Sequence, residues 1–431
     1  MTKFQVFFIG GLVLITLVGV MLFATYQGNS RQGTVKVEVW GTIPASKFQE
    51  VADSPELRDK TLDFTYRAKS EATFEQELIE ALARDAGPDV IILPHERILS
   101  LEDKLMPIPY ESISRRIYRD SFAEIGDLFL LPEGILAIPF AIDPLVMYWN
   151  KDIFSSAGVA AAPKNWEELI FISPQITKKD SSQNITTSAA ALGEFRNIAH
   201  AREILSALML QAGTPVIVRQ ETDDRSIAAV MSQRPGQEPR LPGEAALDYF
   251  TEFSNPAKTT YSWNKSLPLS RDQFTAATLA VYFGFASELD EIAEKNPNLN
   301  FDISEIPQIR DSRTAITYGK LYGFAILKKS KVPNAAYQAI TKLTSSEAST
   351  GWSKALLVAP ARRSLLGGAQ SDAFRTVFNK SAIRARAYIS PGSAVLDPIF
   401  RDMVESVTAG RLNSGEAVRR ADSQINETIR Q

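Results

Sequence analysis

Three observations predict that this sequence forms an α/β protein of two domains. The chain has 431 residues, which is long enough for two domains. Strand-like and helix-like segments alternate along it, and some strand-like segments are entirely apolar, as in a parallel sheet covered on both faces. Hydrophobic residues make up 45% of the chain and charged residues 23%, which is the balance of an ordinary globular protein.

The composition excludes several classes of function. The net charge of -3 provides no basic surface for nucleic acid. The absence of cysteine excludes disulfides, thiol nucleophiles, thiolate metal sites and a lipid on an N-terminal cysteine. Only two histidines occur, His95 and His200, which argues against a histidine-rich metal site. We therefore expect neither a metal nor a cofactor.

The N-terminal segment is predicted to be a membrane anchor. Residues 4–23 carry no charge, and 20 residues of helix at 1.5 Å per residue would span a hydrocarbon core of ~30 Å. The possible cleavage site Leu22-Phe23-Ala24 is poor, which favours an uncleaved signal-anchor over a cleaved signal peptide. Residues 1–33 are therefore predicted to form an anchor and a polar spacer, with the body of the protein following.

The body begins with a segment typical of a strand. Thr34 to Thr42 alternates with period two and places Val35, Val37 and Val39 on one face. Trp40 stands at the carboxyl end of this strand, where ligands bind in open α/β sheets. We take Trp40 as a candidate ligand-binding residue, and a buried core position is the alternative.

A strand–helix–strand unit is predicted next. Residues 74–84 have apolar side chains at helical spacing, Gly87-Pro88 ends the helix, and residues 89–93 form an apolar strand. Glu96 follows this strand end, where its carboxylate could accept hydrogen bonds from a polar ligand. The alternative is that Glu96 and Arg97 begin a solvated helix.

The segment from Ile135 to Trp149 is predicted to pass from one domain to the other. Two apolar runs read as buried strands, and Asp143-Pro144 is predicted to bend the chain between them, because a residue before proline is driven out of the helical region. Asn165 and Glu168 have the spacing of a capping box at the start of a helix. Asp143 could line the hinge or stabilise the turn, and we favour both roles over a catalytic acid.

The second half of the chain provides further candidates. Residues 189–211 are predicted to be largely helical, with Arg196 at or before the helix start, where free N–H groups could face a polar ligand. Tyr282 and Phe285 are two aromatic candidates in this half, and their rings could cover the apolar face of a ligand.

One stretch resembles a known family. The sequence IPFAIDPLVMYWNKDIF at residues 138–154, followed by Asn165-Trp166 and Glu168-Leu169, resembles the crossover segment of extracellular solute-binding proteins of the maltose-binding type. The region Tyr318 to Leu327 resembles a later strand of that family, and the resemblance covers residues 34–431 in order. Residues 270–285 resemble the family's helix that leads into a strand ending in a Gly-aromatic pair, here Gly284-Phe285. They depart from the family pattern because Ala277-Thr278 stands where Gly-Lys is usual and Phe285 stands where tryptophan is usual.

The resemblance implies a type II periplasmic-binding-protein fold with two discontinuous α/β lobes. It implies an N-lobe of residues 34–142 and 307–354 and a C-lobe of residues 145–304 and 358–431. Hinges are expected near Asp143, Ile306 and Val358. The candidate ligand-binding residues are Trp40, Glu96, Asp143, Arg196, Tyr282, Phe285, Tyr322 and Trp352.

The resemblance also implies a function. The chain is expected to be a membrane-anchored receptor, with its body outside the cell membrane, that captures a small solute between its lobes for the permease subunits of an ABC importer. A carbohydrate is the expected ligand. The alternative is a sensor or adhesin ectodomain that uses the same fold to bind a protein. No Gly-x-Ser-x-Gly, phosphate-loop or His-Glu-x-x-His motif occurs, so an enzyme is not expected.

Overall fold

The computed structural model describes residues 34–58, 61–220, 223–233, 241–368 and 372–429. The predicted anchor and spacer, residues 1–33, lie outside the described residues. Within the described ranges, no helix has both the length and the apolar character needed to cross a membrane.

The strands of the described residues, in chain order, are β1 Val35–Gly41, β2 Leu62–Ala68, β3 Val90–Pro94, β4 Leu105–Met106, β5 Leu130–Leu131, β6 Gly134–Ile135, β7 Ile138–Asn150, β8 Lys178–Lys179, β9 Ile185–Ala190, β10 Ile217–Gln220, β11 Asp223–Ala229, β12 Leu279–Phe285, β13 Phe301–Glu305, β14 Thr317–Leu327, β15 Ala359–Pro360 and β16 Ala385–Arg386.

The helices are α1 Ala45–Ala52, α2 Phe74–Ala83, α3 Ile98–Leu101, α4 Arg115–Ser121, α5 Lys151–Ser156, α6 Trp166–Ile176, α7 Ala201–Gln211, α8 Pro242–Glu252, α9 Ser270–Thr275, α10 Leu289–Lys295, α11 Pro333–Leu343, α12 Ser346–Leu356, α13 Arg363–Leu366, α14 Ala373–Ile383, α15 Ser393–Thr408 and α16 Ser414–Ile429. Short 3-10 helices cover His95–Arg97, Glu102–Lys104, Glu124–Phe129 and Ala286–Glu288.

A mixed sheet runs through the described part of the molecule. Its main strand order is β2-β1-β3-β14-β7-β12-β9-β8. The pairs β1–β2, β1–β3 and β12–β9 are parallel, as the apolar strand segments predict. The long strands β7 and β14 are antiparallel to each other. Strand β14 is also antiparallel to β3 and parallel to β16, and β7 is antiparallel to β12 and β13.

Strand β7 is longer than the sequence predicts. Asp143-Pro144 does not divide it into two strands, since the strand continues without a break from Ile138 to Asn150. The preference of a residue before proline for extended backbone is compatible with a strand as well as with a bend, and here the pairing with β14 decides between them. Before Pro144 the strand pairs with β14, and after it with β12 and β13.

The buried apolar side chains form two separate cores. The first core contains side chains from Val37 to Ile142 and from Leu321 to Ala385. The second core contains side chains from Leu145 to Ile306, together with Tyr318 and a C-terminal set that ends at Ile425. Strands β7 and β14 contribute to both cores, so they carry the chain from one to the other.

Two local predictions have opposite outcomes. The N-cap of α6 is confirmed, because Asn165 Oδ1 accepts a 2.9 Å hydrogen bond from the Glu168 backbone N–H. The reciprocal bond of a capping box takes another form, since the Glu168 carboxylate accepts from the Asn165 side-chain amide and from the Lys164 backbone N–H. The prediction that helix covers residues 189–211 is wrong for the first part, where β9 ends at Ala190 and α7 begins only at Ala201. Pairing with the buried strand β12 overrides the helix propensity of the alanines.

Candidate ligand-binding site

The point where the chain passes between the two cores is built on the β7–β14 pair. Lys320 lies opposite Asp143 in the register, and Gly319 lies opposite Pro144. A Cβ atom on Gly319 would stand 2.8 Å from the Cβ of Ala385, so the packing here requires a glycine. Strands β14 and β16 are therefore packed closely beside the crossing.

Polar and aromatic side chains from both cores meet around this crossing. We call this group the crossing cluster, and its members are His95, Glu96, Asp143, His200, Arg202, Glu203, Tyr282, Phe285, Glu288, Tyr318, Lys320, Tyr322 and Tyr388.

Arg202 joins the two sides of the crossing cluster. Arg202 is only 5% exposed, and its Nη2 lies 2.9 Å from Glu96 Oε1 and 2.6 Å from Glu203 Oε1. Its Nε lies 3.3 Å from Asp397 Oδ1. Glu96 follows β3 of the first core, whereas Arg202 and Glu203 lie in the first turn of α7. Burial acts to raise the pKa of Glu203, but the neighbouring Arg202 guanidinium outweighs it and the pKa is lowered to about 2.

His95 is completely buried beside the crossing. The backbone N–H of Leu321 donates to its Nδ1 over 3.2 Å, which places the proton on Nε2. Nε2 then donates to the Tyr318 hydroxyl, also at 3.2 Å. Burial lowers the pKa of His95 to about 4, so the ring is neutral near pH 7. The two hydrogen bonds tie the end of β3 to β14.

Glu288 gathers hydrogen bonds from the second core. It accepts from the Tyr282 hydroxyl at 2.6 Å, from the Phe285 backbone N–H at 2.8 Å, and pairs with His200 Nε2 at 2.7 Å. Burial acts to raise its pKa, but these hydrogen bonds, chiefly that with His200, lower the pKa overall. The carboxylate thus fixes the turn that follows β12.

Asp143 holds the same turn from the β7 side. Its carboxylate accepts a 2.6 Å hydrogen bond from the Ser287 hydroxyl and a 3.1 Å hydrogen bond from the Ser287 backbone N–H. Burial raises the pKa of Asp143 to about 6, although both hydrogen bonds act in the opposite direction.

Lys320 occupies the centre of the crossing cluster. Its Nζ lies 4.4 Å from the centroid of the Phe285 ring, in a cation–π contact. Burial acts to lower its pKa, but Tyr322 and the carboxyl groups of Glu96, Glu203 and Asp143 raise the pKa above its ordinary value. The side chain therefore remains an ammonium group.

The crossing brings five of the eight residues predicted from the sequence into one place. Glu96, Asp143, Tyr282, Phe285 and Tyr322 all belong to the crossing cluster. Tyr282 and Phe285 are 1% and 2% exposed, so their rings are packed rather than open. Their roles in ligand binding remain predictions.

The other three predicted residues lie elsewhere. Trp40 donates from Nε1 to Glu38, 2.6 Å away, and the Lys69 ammonium lies over its ring. Arg196 is exposed and paired with Glu405 at 2.6 Å. Trp352 has no exposed surface and packs against Phe48, Phe140 and Phe324 within the first core.

Several members of the cluster were not expected from the sequence. Arg202 and Glu203 are adjacent charges in a helix whose other residues are mostly apolar, where Ile204, Leu205 and Leu208 follow them. Lys320 is likewise a charge within a strand of apolar and aromatic residues. A charge in an apolar segment is therefore the signal that could have identified both positions.

Known proteins support this architecture. The profile of the bacterial extracellular solute-binding protein family matches residues 56–375. Two Brucella proteins named as binding proteins, one from Brucella abortus and one from Brucella suis, are each 23% identical over 126 residues. That match covers 28% of this chain and 30% of each relative.

Three solved structures share the fold along most of the chain. The cyclic α-maltosyl-1,6-maltose binding protein from Arthrobacter globiformis has a TM-score of 0.75 and 16% identity, and covers 92% of this chain and 99% of its own. A cyclo/maltodextrin-binding protein complexed with maltotetraose has a TM-score of 0.72 and 15% identity, and the match covers 94% of this chain and 99% of that protein. The sugar-binding protein MalE from Xanthomonas citri has a TM-score of 0.70 and 20% identity, with 92% and 98% covered.

These similarities confirm the predicted α/β fold of the type II periplasmic binding proteins. Members of the matched family bind solutes rather than transform them. Since the family profile covers well over half of the sequence, the chain belongs to the bacterial extracellular solute-binding proteins.

Proposed function

We propose that this protein captures a carbohydrate between two lobes at the crossing cluster and delivers it to an ABC importer. The observation that carries the proposal is the meeting of Glu96 and Arg202, 2.9 Å apart, where one comes from each core. A ligand held there would contact both lobes at once, and contacts made only in the closed arrangement favour closure.

The lobes of the proposal follow the two cores. From the sequence, the N-lobe would comprise residues 34–142 and 307–354 and the C-lobe residues 145–304 and 358–431, with hinges near Asp143, Ile306 and Val358. The two cores change the last two of these bounds. Tyr318 packs in the second core, and Val358, Leu366 and Ala385 pack in the first, so we propose that the second passage lies after Tyr318 and the last passage after Ala385.

The chemistry of the crossing cluster supports a carbohydrate. Sugars present hydroxyl groups that both donate and accept, and apolar faces that stack on aromatic rings. Carboxylates such as Glu96 accept hydrogen bonds, Lys320 and Arg202 donate them, and Tyr322 provides a half-buried ring. The similar structures carry names that describe binding of maltotetraose, cyclic maltosyl-maltose and sugar.

Residues 4–23 would anchor the protein in the membrane, with the body outside. This part of the proposal depends on the uncharged run in the sequence and on the extracellular character of the family. A tethered receptor would stay near its permease subunits. Protease treatment of intact cells or spheroplasts should degrade the body while a cytoplasmic marker survives, and protection of the body would contradict this orientation.

A thermal-shift screen of the full chain in mild detergent tests the ligand class. The panel would contain maltose, maltotriose, tagatose, amino acids and linear polyols. A ligand at about 100 times its Kd stabilises the native state by ~2.7 kcal/mol, which raises Tm by roughly 2 °C or more in a chain of this size. Hits among sugars alone would support the proposal, whereas a folded sample with no sugar hit would refute it.

Two variants locate the site for whichever sugar binds. Glu96→Gln should weaken binding at least about tenfold, because it removes a charged acceptor at the junction of the lobes. Glu50→Gln is the matched control, since Glu50 is exposed on α1 and is not a member of the crossing cluster. Equal Kd values for the wild type and Glu96→Gln would place the site elsewhere.

A further inference from the structure

Lys320 differs from the other charged members of the crossing cluster. Among the described residues, its ammonium group has no hydrogen-bond acceptor and no ion pair, and its direct contact is with the face of Phe285. By contrast, hydrogen bonds satisfy Glu96, Asp143, His200, Arg202, Glu203 and Glu288. The Lys320 Nζ atom keeps contact with solvent, so water or a bound ligand can supply the acceptor that the chain does not.

The position of Lys320 is suited to a ligand contact. It lies on β14 at the point where the strand passes between the two cores, opposite Asp143 in the register. Its side chain stands over the ring of Phe285 at the end of β12. A molecule clamped between the lobes would therefore meet the three free donors of this ammonium group.

The surrounding charges restrict the kind of ligand. Glu96, Glu203 and Asp143 interact electrostatically with Lys320 without touching it. These carboxylates would repel an anionic ligand, while they already balance the charge of the lysine. A neutral hydroxyl group avoids this repulsion, since its oxygen accepts from Lys320 and its proton is available to a carboxylate.

We infer that Lys320 is a ligand-binding residue whose ammonium group donates a hydrogen bond to a hydroxyl oxygen of a neutral carbohydrate. The inference rests on the proposed function and extends it, because it selects neutral sugars over sugar acids. Phe285, beneath the lysine, would then support the ammonium group instead of stacking on the sugar directly.

Isothermal titration of the full chain tests the inference. The probes are glucose, galactose, tagatose and maltotriose, with glucuronate and galacturonate as charged counterparts. We expect a neutral sugar to bind more tightly than its acid. Lys320→Met should weaken the binding of that sugar at least about tenfold. Lys354→Met is the matched control, because Lys354 is exposed on α12 and its loss should leave Kd unchanged.

Monodeoxy analogues of the sugar that binds separate a direct contact from a structural effect. One analogue should bind the wild type at least about tenfold more weakly than the parent sugar does. The same analogue and the parent sugar should bind Lys320→Met equally well, because the substitution and the missing hydroxyl remove the same hydrogen bond. Equal weakening of every analogue by Lys320→Met would contradict the contact. If Lys320→Met bound the sugar with the Kd of the wild type, or if a sugar acid bound more tightly than its neutral counterpart, the inference would be overturned and the proposed function would still stand. Failure of the wild type to bind any sugar would instead overturn the proposed function.

Discussion

The Arg202 guanidinium donates a 2.9 Å hydrogen bond to the Glu96 carboxylate, and so connects helix α7 of the second core to the end of β3 in the first. The same nitrogen binds Glu203 at 2.6 Å. Arg202 is therefore the buried cation between two carboxylates that come from different parts of the chain.

Replacement of Arg202 should destabilise the fold strongly. Arg202→Leu leaves Glu203 and Glu96 without their cation, which should lower the free energy of unfolding by about 3–5 kcal/mol. Urea denaturation at pH 7 measures this. Lys295→Met removes the exposed Lys295–Asp272 pair and serves as the control, with almost no change expected. If the free energy of unfolding fell by similar amounts in both variants, the buried ion pairs of Arg202 would contribute no more to stability than an exposed pair.

Asp143 should make the protein more stable as the pH falls from 6 to 4. Its pKa is about 6 in the native state against an ordinary value of 3.8, so the native state binds more protons in this range. The gain should reach about 3 kcal/mol. Asn has the shape of Asp but does not titrate. The free energy of unfolding of Asp143→Asn, relative to that of the wild type, should therefore be higher at pH 7 than at pH 4. A pH-independent difference in the free energy of unfolding would contradict this.

His95 should have the opposite effect over a similar range. Its pKa is about 4 in the native state and 6.5 ordinarily, so the unfolded chain binds more protons between these values. Stability contributed by neutral His95 is therefore lost as the pH falls from 6.5 to 4, by up to about 3 kcal/mol. His95→Gln should be less stable than the wild type at pH 7, and this deficit should shrink at pH 4. The comparison needs denaturation curves at both pH values, and a deficit that grows on acidification would refute it.

Gly319→Ala should disturb the strand crossing. The added methyl group would stand 2.8 Å from the Cβ of Ala385, which belongs to strand β16, and overpacking of this kind costs about 1–3 kcal/mol. Gly367→Ala is the control, because nothing lies within 4 Å of the added atom. Thermal unfolding curves should give a lower Tm for Gly319→Ala and an unchanged Tm for Gly367→Ala.

The features that follow from local pattern were predictable from the sequence. The apolar runs on both sides of Asp143-Pro144 identified the passage between the cores, and Asn165 with Glu168 identified the start of α6. The prediction of a bend at Pro144 was wrong, because pairing with β14, which lies far along the chain, makes β7 one continuous strand. Local preference alone could not reveal that pairing.

The composition of the cluster was harder to predict because it depends on distant partners. Glu96 and Arg202 are 106 residues apart in sequence, and only the fold brings them together. Trp352 was chosen as a large aromatic residue, yet aromatic side chains fill protein cores as readily as they line binding sites. Its complete burial among other rings is a property of the first core and leaves no sequence signal.

The discontinuous first core has a consequence for biosynthesis. The side chains of Ala382 and Ala385 complete this core, although its opening strands are made first. Most of the second core is translated between these two parts, so residues 34–142 leave the ribosome before the part of their core that lies beyond Leu321 exists. Until that later part has emerged, the apolar surface that it covers stays exposed on the nascent chain, where it could promote aggregation.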